Sequence, residues 1–487
     1  MTSRWWKRAA LCAAGVTVCS IAAAIEWQPC RLKGVTHEAL CGSVRRPLDP
    51  ARPDGTAIDV QVAMVPALAR HKLPDPVFFI AGGPGQSAID LAGPLTAQMG
   101  RLSNRRDLVF VDQRGTGRSA PLRCEDDDDA LRPLAERMDT AAQVTRAVRC
   151  AQALARLPHG DLTRYTTTIA MADLDAVRSA LGAPRINLVG ASYGTRAALE
   201  YMRLFPHAVR RAVLDGVAPA DMVLPSSFSI DTQAALDALF DWCAVDAMCK
   251  ARHPDLRAIW LRLLGSLPRR VALVEPFTGR RESVLLTRDA VLGMVRSPLY
   301  VPALAAGLPA AIADAADGHY DALAGLASAL SGPGNVIYSG MHFSVVCAED
   351  APRLQSVGGE TGAQFGRSFA TLYEQVCAHW PRGQVDAGFY TLPQAPAATW
   401  VLSGAADPAT PPRHGARVAA LLGPKARHTV VPNAGHGVMG LPCLREAVQR
   451  FIDAADDEAA LKVDGQCAAT LPHAPVFVPL ADAGAAR

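Results

Sequence analysis

The sequence predicts an α/β protein: a mostly parallel central sheet with helices on both faces, interrupted by a mainly helical insertion. Three observations lead there. Short apolar runs alternate with longer amphipathic segments, the rhythm of strand–helix units. Each run stops at or beside a glycine, an aspartate or a proline. One stretch, residues 217–395, is too long for a loop between neighbouring strands and carries alanine and leucine at helical spacing.

In chain order the expected strands are 77–80, 108–111, 186–189, 212–214, 400–402 and 429–431. Alternation with helices implies that they run parallel. In such a sheet ligands sit beyond the carboxyl ends of the strands, so chemistry is expected just after these runs. The chain divides into a leader at 1–24, a first part of the sheet domain at 25–216, the insertion at 217–395, read as a lid, and the rest of the sheet domain at 396–487. From Val476 onward there is no helical period, and the end reads as loosely attached.

Composition narrows the function classes. Half of the 487 residues are hydrophobic and a fifth are charged, as in ordinary globular proteins. The formal charge of +3 is small, and Lys and Arg are dispersed, which argues against nucleic acid as a partner. The acidic run at 125–129 lacks the interleaved glycine of a calcium loop and reads as a solvated loop. Arg4, Lys7 and Arg8 precede an apolar stretch at 9–24 that ends in three alanines, the pattern of a cleaved export signal. That stretch is short for a membrane span, and Glu26 and Gln28 follow at once, so no stable membrane insertion is expected after cleavage. Cys19 is preceded by the bulky Val18, which disfavours lipidation. The expected location is secreted or periplasmic.

Cys12 and Cys19 fall in the leader, and the other ten of the 12 cysteines lie as sequence neighbours: Cys30 with Cys41, Cys124 with Cys150, Cys243 with Cys249, Cys347 with Cys377, and Cys443 with Cys467. Local pairing is the simplest connectivity, and an oxidising compartment fits it. Neither a CxxC pair nor an HExxH helix is present, so neither a metal nor another cofactor is expected.

The chemistry-bearing pattern is Gly190-Ala191-Ser192-Tyr193-Gly194, set between the run INLV and a helix-like segment. A serine on a sharp strand-to-helix turn needs glycines two residues to either side, because backbone crowds it there. Its hydroxyl is a poor nucleophile until a histidine, oriented by a carboxylate, takes its proton. Asp407 follows the strand WVLSG, and His436 follows HTVVP on a glycine-flanked loop, giving the chain order Ser, Asp, His. Asp215 also ends a strand and is the rival acid, while His414 and His428 lie inside regular segments and are poorer bases. The oxyanion donors are expected to be the N–H of Tyr193 and that of Gly83 in the loop Gly82-Gly83-Pro84-Gly85.

Together, AGGPG, DQRGTGRS at 112–119, YTT followed by DLDAVRSALG, GASYGT, YMRLFP followed by VLDGV, and DPATP resemble the proline-iminopeptidase and tripeptidyl-aminopeptidase family of α/β-hydrolases, especially exported members with a TAP-like C-terminal region. The resemblance covers about 77–216 and 340–445. It implies an α/β-hydrolase fold and a serine exopeptidase acting on small peptides with a free N-terminus, with substrate preference set in the lid. Ala81 stands where the family's glycine loop commonly begins with histidine, which removes that side chain and keeps the backbone donors. The family binds the substrate amino terminus through acidic residues near the lid, and Glu349 and Asp350 are the candidates here. A carboxylesterase with the same triad and a non-catalytic binding protein on the same scaffold are the alternatives.

Overall fold

The computed structural model describes residues 24–125, 127, 132–331, 336–354 and 364–478. The expected leader, apart from Ala24, lies outside them, as does most of the acidic run. The strands are β1 (Gln28–Cys30), β2 (Ala39–Pro47), β3 (Ala57–Val65), β4 (Val77–Ile80), β5 (Leu108–Val111), β6 (Ile186–Ala191), β7 (Val209–Asp215), β8 (Arg269–Val274), β9 (Arg281–Leu286), β10 (Thr399–Gly404) and β11 (Ala426–Val431). Among the described residues one sheet has nine strands in the order β1-β2-β3-β5-β4-β6-β7-β10-β11. The six strands expected from apolar runs form its parallel part. β1, β2 and β3 extend it with antiparallel pairings, a part the apolar runs do not mark. Arg45, Arg46 and Asp59 interrupt these half-exposed strands, so they lack a continuous apolar run.

Side-chain alternation puts Phe78, Ile80, Val109, Ile186 and Leu188 in the core on one face of the sheet, and Val77, Phe79, Phe110 and Val189 in the core on the other. Between β7 and β10 the described residues form mainly helices and the antiparallel pair β8–β9. The first part of this segment has a separate core around Phe240, Trp260 and Leu292, whereas Met341, Val345 and Val376 of its later part pack into the core of the sheet. Of the stretch expected to be loosely attached, Phe477 is held to this segment by its N–H, which donates to the Ala306 carbonyl at 3.0 Å.

The chain passes from β4 to β5 on one side and then crosses to β6 on the other, so strand order reverses at β4. Backbone is packed to its limit there. A Cβ on Gly194 would lie 2.2 Å from the Ile80 carbonyl oxygen, and one on Gly190 would lie 2.5 Å from the Gly194 oxygen. Ser192 between them has φ 56°, a conformation that L-residues rarely adopt. It is held by its own N–H, which donates to the Asp215 carbonyl at 2.9 Å, and by the Thr195 hydroxyl, which donates to the Ser192 carbonyl at 2.6 Å.

The motif DQRGTGRS is scaffold for this region. Asp112 accepts from the Ser87 hydroxyl at 2.6 Å and from the Ile89 N–H at 3.1 Å. The buried Arg114 donates to both oxygens of Asp173, at 2.7 and 3.0 Å, and to the Leu48 carbonyl at 2.7 Å.

Every cysteine among the described residues is paired, in the five neighbour pairs expected: Cys30–Cys41, Cys124–Cys150, Cys243–Cys249, Cys347–Cys377 and Cys443–Cys467. No helix among the described residues is long and apolar enough to cross a membrane. Two expectations follow. Intact-mass analysis after alkylation without reductant should show no modified thiol between residues 25 and 487, and several alkylated cysteines would contradict the pairing. Gly194→Ala should lose about 1–3 kcal/mol of stability in chemical denaturation, since its methyl group meets backbone that cannot yield; an unchanged midpoint would contradict the packing described.

Candidate active site

A cavity of about 360 Å³ opens at the carboxyl ends of β4 and β6, lined by Gly82, Gly83, Ser192, Asp215, Tyr300 and His436 among others. Ser192 and His436 therefore face one space. The His436 ring is placed by Asp407, whose Oδ2 lies 2.8 Å from Nδ1. Asp407 is buried and saturated with donors: the N–H groups of Ala409 and Thr410, at 2.8 and 2.9 Å, and the Thr410 hydroxyl at 2.7 Å. Burial by itself would raise its pKa. The neighbouring His436 charge and these hydrogen bonds outweigh burial and hold the carboxyl below the usual range. An ionised carboxylate only accepts, so Nδ1 carries the proton and Nε2 keeps the lone pair of a base. For His436, burial works against the charged form, but Asp407 and then Asp215 outweigh it and raise the imidazole above its ordinary value.

Asp215, the rival acid, has a different position. Its carboxylate accepts from the Val438 N–H, at 2.8 and 3.0 Å to its two oxygens, and from the Met439 N–H at 2.8 Å. It clamps the loop just beyond His436, and burial pushes its pKa up to about 6 despite the amide donors. The same loop is held from the other side by Tyr300, on the segment between β7 and β10. The His436 N–H donates to the Tyr300 carbonyl at 2.9 Å, and the two rings meet edge to face at 5.0 Å. A Cβ on Gly435 would lie 2.2 Å from that carbonyl oxygen.

The glycine loop approaches the serine as its lack of side chains allows. A Cβ on Gly82 would lie 3.2 Å from the Ala191 carbonyl oxygen and 3.4 Å from the Ser192 Cβ. Gly83 has φ +107°. The Tyr193 N–H is at the start of helix Tyr193–Leu204, where amide groups have no acceptor within the helix. His342 braces the loop from behind: Nδ1 donates to the Pro84 carbonyl at 3.0 Å, and Nε2 accepts from the Tyr373 hydroxyl at 2.7 Å. Burial lowers the His342 pKa, consistent with a neutral ring in that role.

Glu349 and Asp350 require a correction. They are buried and do not line the cavity. Arg196, on the helix that follows Ser192, donates to both oxygens of Asp350 at 2.9 and 3.2 Å and lies 3.6 Å from Glu349. Glu349 also accepts from the Thr167 N–H at 2.7 Å and from its hydroxyl at 3.0 Å, and that hydroxyl is 2.7 Å from the Tyr193 phenol oxygen. Burial pushes Glu349 up to about 7 against the Arg196 charge. The two carboxylates serve an internal ion-pair network that seats the helix following Ser192. A buried guanidinium claims them, and a substrate ammonium group does not meet them.

Tyr300, His342 and the clamping role of Asp215 are not apparent in the sequence. The first two lie outside any motif, and only tertiary packing brings them to the site. The Thr410 contact has a signal, since the threonine lies within DPATP.

The chain is similar to several known proteins. A family model described as alpha/beta hydrolase fold matches residues 75–440. Serine protease Hip1 of Mycobacterium tuberculosis is 27% identical over 471 residues, covering 88% of each chain. Tripeptidyl aminopeptidase of Streptomyces coelicolor is 33% identical over 245 residues, 48% of this chain and 44% of that one. Carboxylesterase B of Mycobacterium tuberculosis is 31% identical over 442 residues, covering 82% and 81%. Among solved structures, proline iminopeptidase of Mycobacterium smegmatis aligns with a TM-score of 0.36 at 16% identity, over 87% of this chain and all of that one. With the matched model spanning the parallel strands and the site together, the chain belongs to the α/β-hydrolase family.

Proposed function

We propose that this chain is an exported serine exopeptidase that cleaves peptide bonds near a free N-terminus through an acyl-enzyme on Ser192. The observation that carries the proposal is the His436 imidazole, fixed by Asp407 in one tautomer and opening with Ser192 onto one cavity. In this reading the Ser192 oxygen attacks the peptide carbonyl as its proton passes to His436 Nε2. The carbonyl oxygen gains negative charge and accepts from the Gly83 and Tyr193 N–H groups, each such donor contributing about 2.7–4 kcal/mol. The carbon–nitrogen bond breaks as Nε2 returns the proton to the leaving amine. Water, deprotonated by the same imidazole, then releases the acyl group and restores Ser192.

The segment between β7 and β10 acts as a lid that keeps folded proteins out, and Tyr300 joins it to the His436 loop. The similarity to Hip1 and tripeptidyl aminopeptidase supports a peptidase, and the five disulfides and the leader sequence support export. The similarity to carboxylesterase B favours one second reading, an esterase with the same triad.

A panel of aminoacyl, dipeptidyl and tripeptidyl amides, each with a free or blocked N-terminus, separates the two readings. Free peptide amides should be cleaved far better than blocked ones or short acyl esters, and the reverse ranking would favour the esterase. The pH profile of kcat/KM tests the base. His436 must be neutral to act and its pKa is raised in the fold, so activity should fall on acidification through a limb above the ordinary histidine value of 6.5. Asp407→Asn should cost about 10⁴-fold in kcat by allowing the wrong tautomer. An acid limb well below 6.5, or a small effect of Asp407→Asn, would argue against these roles.

A further inference from the structure

The helix Arg288–Leu299 carries a cation, Arg296, whose place in the fold gives it a use. The Arg296 guanidinium lies 4.3 Å from the centre of the Phe228 ring, 5.1 Å from that of Tyr300 and 5.2 Å from that of Phe369. It donates to the Tyr300 hydroxyl, and among the described residues its buried Nε has no hydrogen-bond partner. Among the described residues no carboxylate pairs with it. Other buried guanidinium groups differ: Arg114 faces Asp173, Arg196 faces Asp350, and Arg106 faces Asp75. Aromatic faces compensate a desolvated charge only in part, and a carboxylate does so far better.

Gly293, Arg296 and Tyr300 are spaced three and then four apart, which puts them along one side of the helical run. Tyr300 lines the cavity of Ser192 and His436, whereas Gly293 lines a second cleft of about 370 Å³ shared with Phe369 and Tyr373. Arg296, half-buried, lines neither space itself but touches the walls of both: it donates to Tyr300 of the first and packs on Phe369 of the second. Its charge acts on His436, Tyr300 and Tyr373 alike.

We infer that Arg296 recognises a carboxylate of the substrate, so that the enzyme prefers peptides bearing a negative charge close to the scissile bond. The inference rests on the peptidase reading and specifies its substrate class. The planar fork suits the task, because it can receive both oxygens of a carboxylate while its faces stay against the rings. The carboxylate has two possible sources, an acidic side chain beside the scissile bond or the free C-terminus of a short peptide.

Two substrate pairs distinguish them: peptides with Glu or Gln beside the scissile bond, and peptides with a free or an amidated C-terminus. In the wild type one pair should show a preference of at least about tenfold in kcat/KM for the charged member, the size of one charge-assisted hydrogen bond. Arg296→Met should bring that ratio close to one, and Arg296→Lys should retain part of it. Equal preference in the wild type, or variants that slow both members alike and keep the ratio, would overturn the inference. If Arg296→Met fails to fold, as judged by its Tm, Arg296→Gln takes its place. Failure of the peptidase reading is recognised separately, as a protein that reacts with a fluorophosphonate but cleaves neither pair. Protection against that reagent by N-acetylglutamate over N-acetylglutamine, lost in the Arg296 variant, would then still support carboxylate recognition, and equal protection would reject it.

Discussion

Where β4, β6 and the helix Tyr193–Leu204 meet, backbone touches backbone with no room for a side chain, and the site depends on that contact. Gly194 lies against the Ile80 carbonyl, and Gly190 against Gly194. The strand must therefore turn into the helix within one residue, which forces Ser192 to φ 56° and places it beyond the carboxyl end of β6. The same closeness places the glycine loop after β4 beside Ser192 and presents the first amide groups of the helix to the same space. Strain at one residue is sustained because the surroundings over-determine it. The Ser192 amide is bonded to Asp215, its carbonyl to Thr195, and the next helix residue but three, Arg196, is locked to Asp350.

The histidine side of the site is built on a second principle, saturation of buried carboxylates by fixed donors. Asp407 has its acceptors filled by the turn that follows it, leaving His436 one orientation. Asp215 takes the two amides just beyond His436, so two carboxylates share the work of placing one loop. Tyr300 adds a tether from outside the sheet. A change in how the helical segment sits would consequently be felt at the imidazole.

The parallel part of the sheet was legible in the sequence because its strands are buried on both faces and so are written as unbroken apolar runs, such as VFFI and LVFV. β2 and β3 were not, since their exposed positions carry Arg45 and Asp59. β8 and β9 were hidden by arginines at both ends of a short hairpin. That Ser192, Asp407, His436 and Gly83 lie together was legible because each follows a strand, and strand ends are where this topology places ligands. His342 and Arg296 lie on helices, and Tyr300 just after one, with no motif, and only tertiary packing brings them near the site. Glu349 and Asp350 show the opposite error: their charge was legible, but the Arg196 that consumes it was not.

The proposed chemistry requires Ser192 as the nucleophile and His436 as its base. The most direct measurement is reaction of the folded protein with a fluorophosphonate, followed by peptide mapping of the adduct. The account predicts a single adduct on the peptide containing Ser192, lost in Ser192→Ala and strongly slowed in His436→Ala. A folded protein that does not react, or an adduct on another serine, would contradict it.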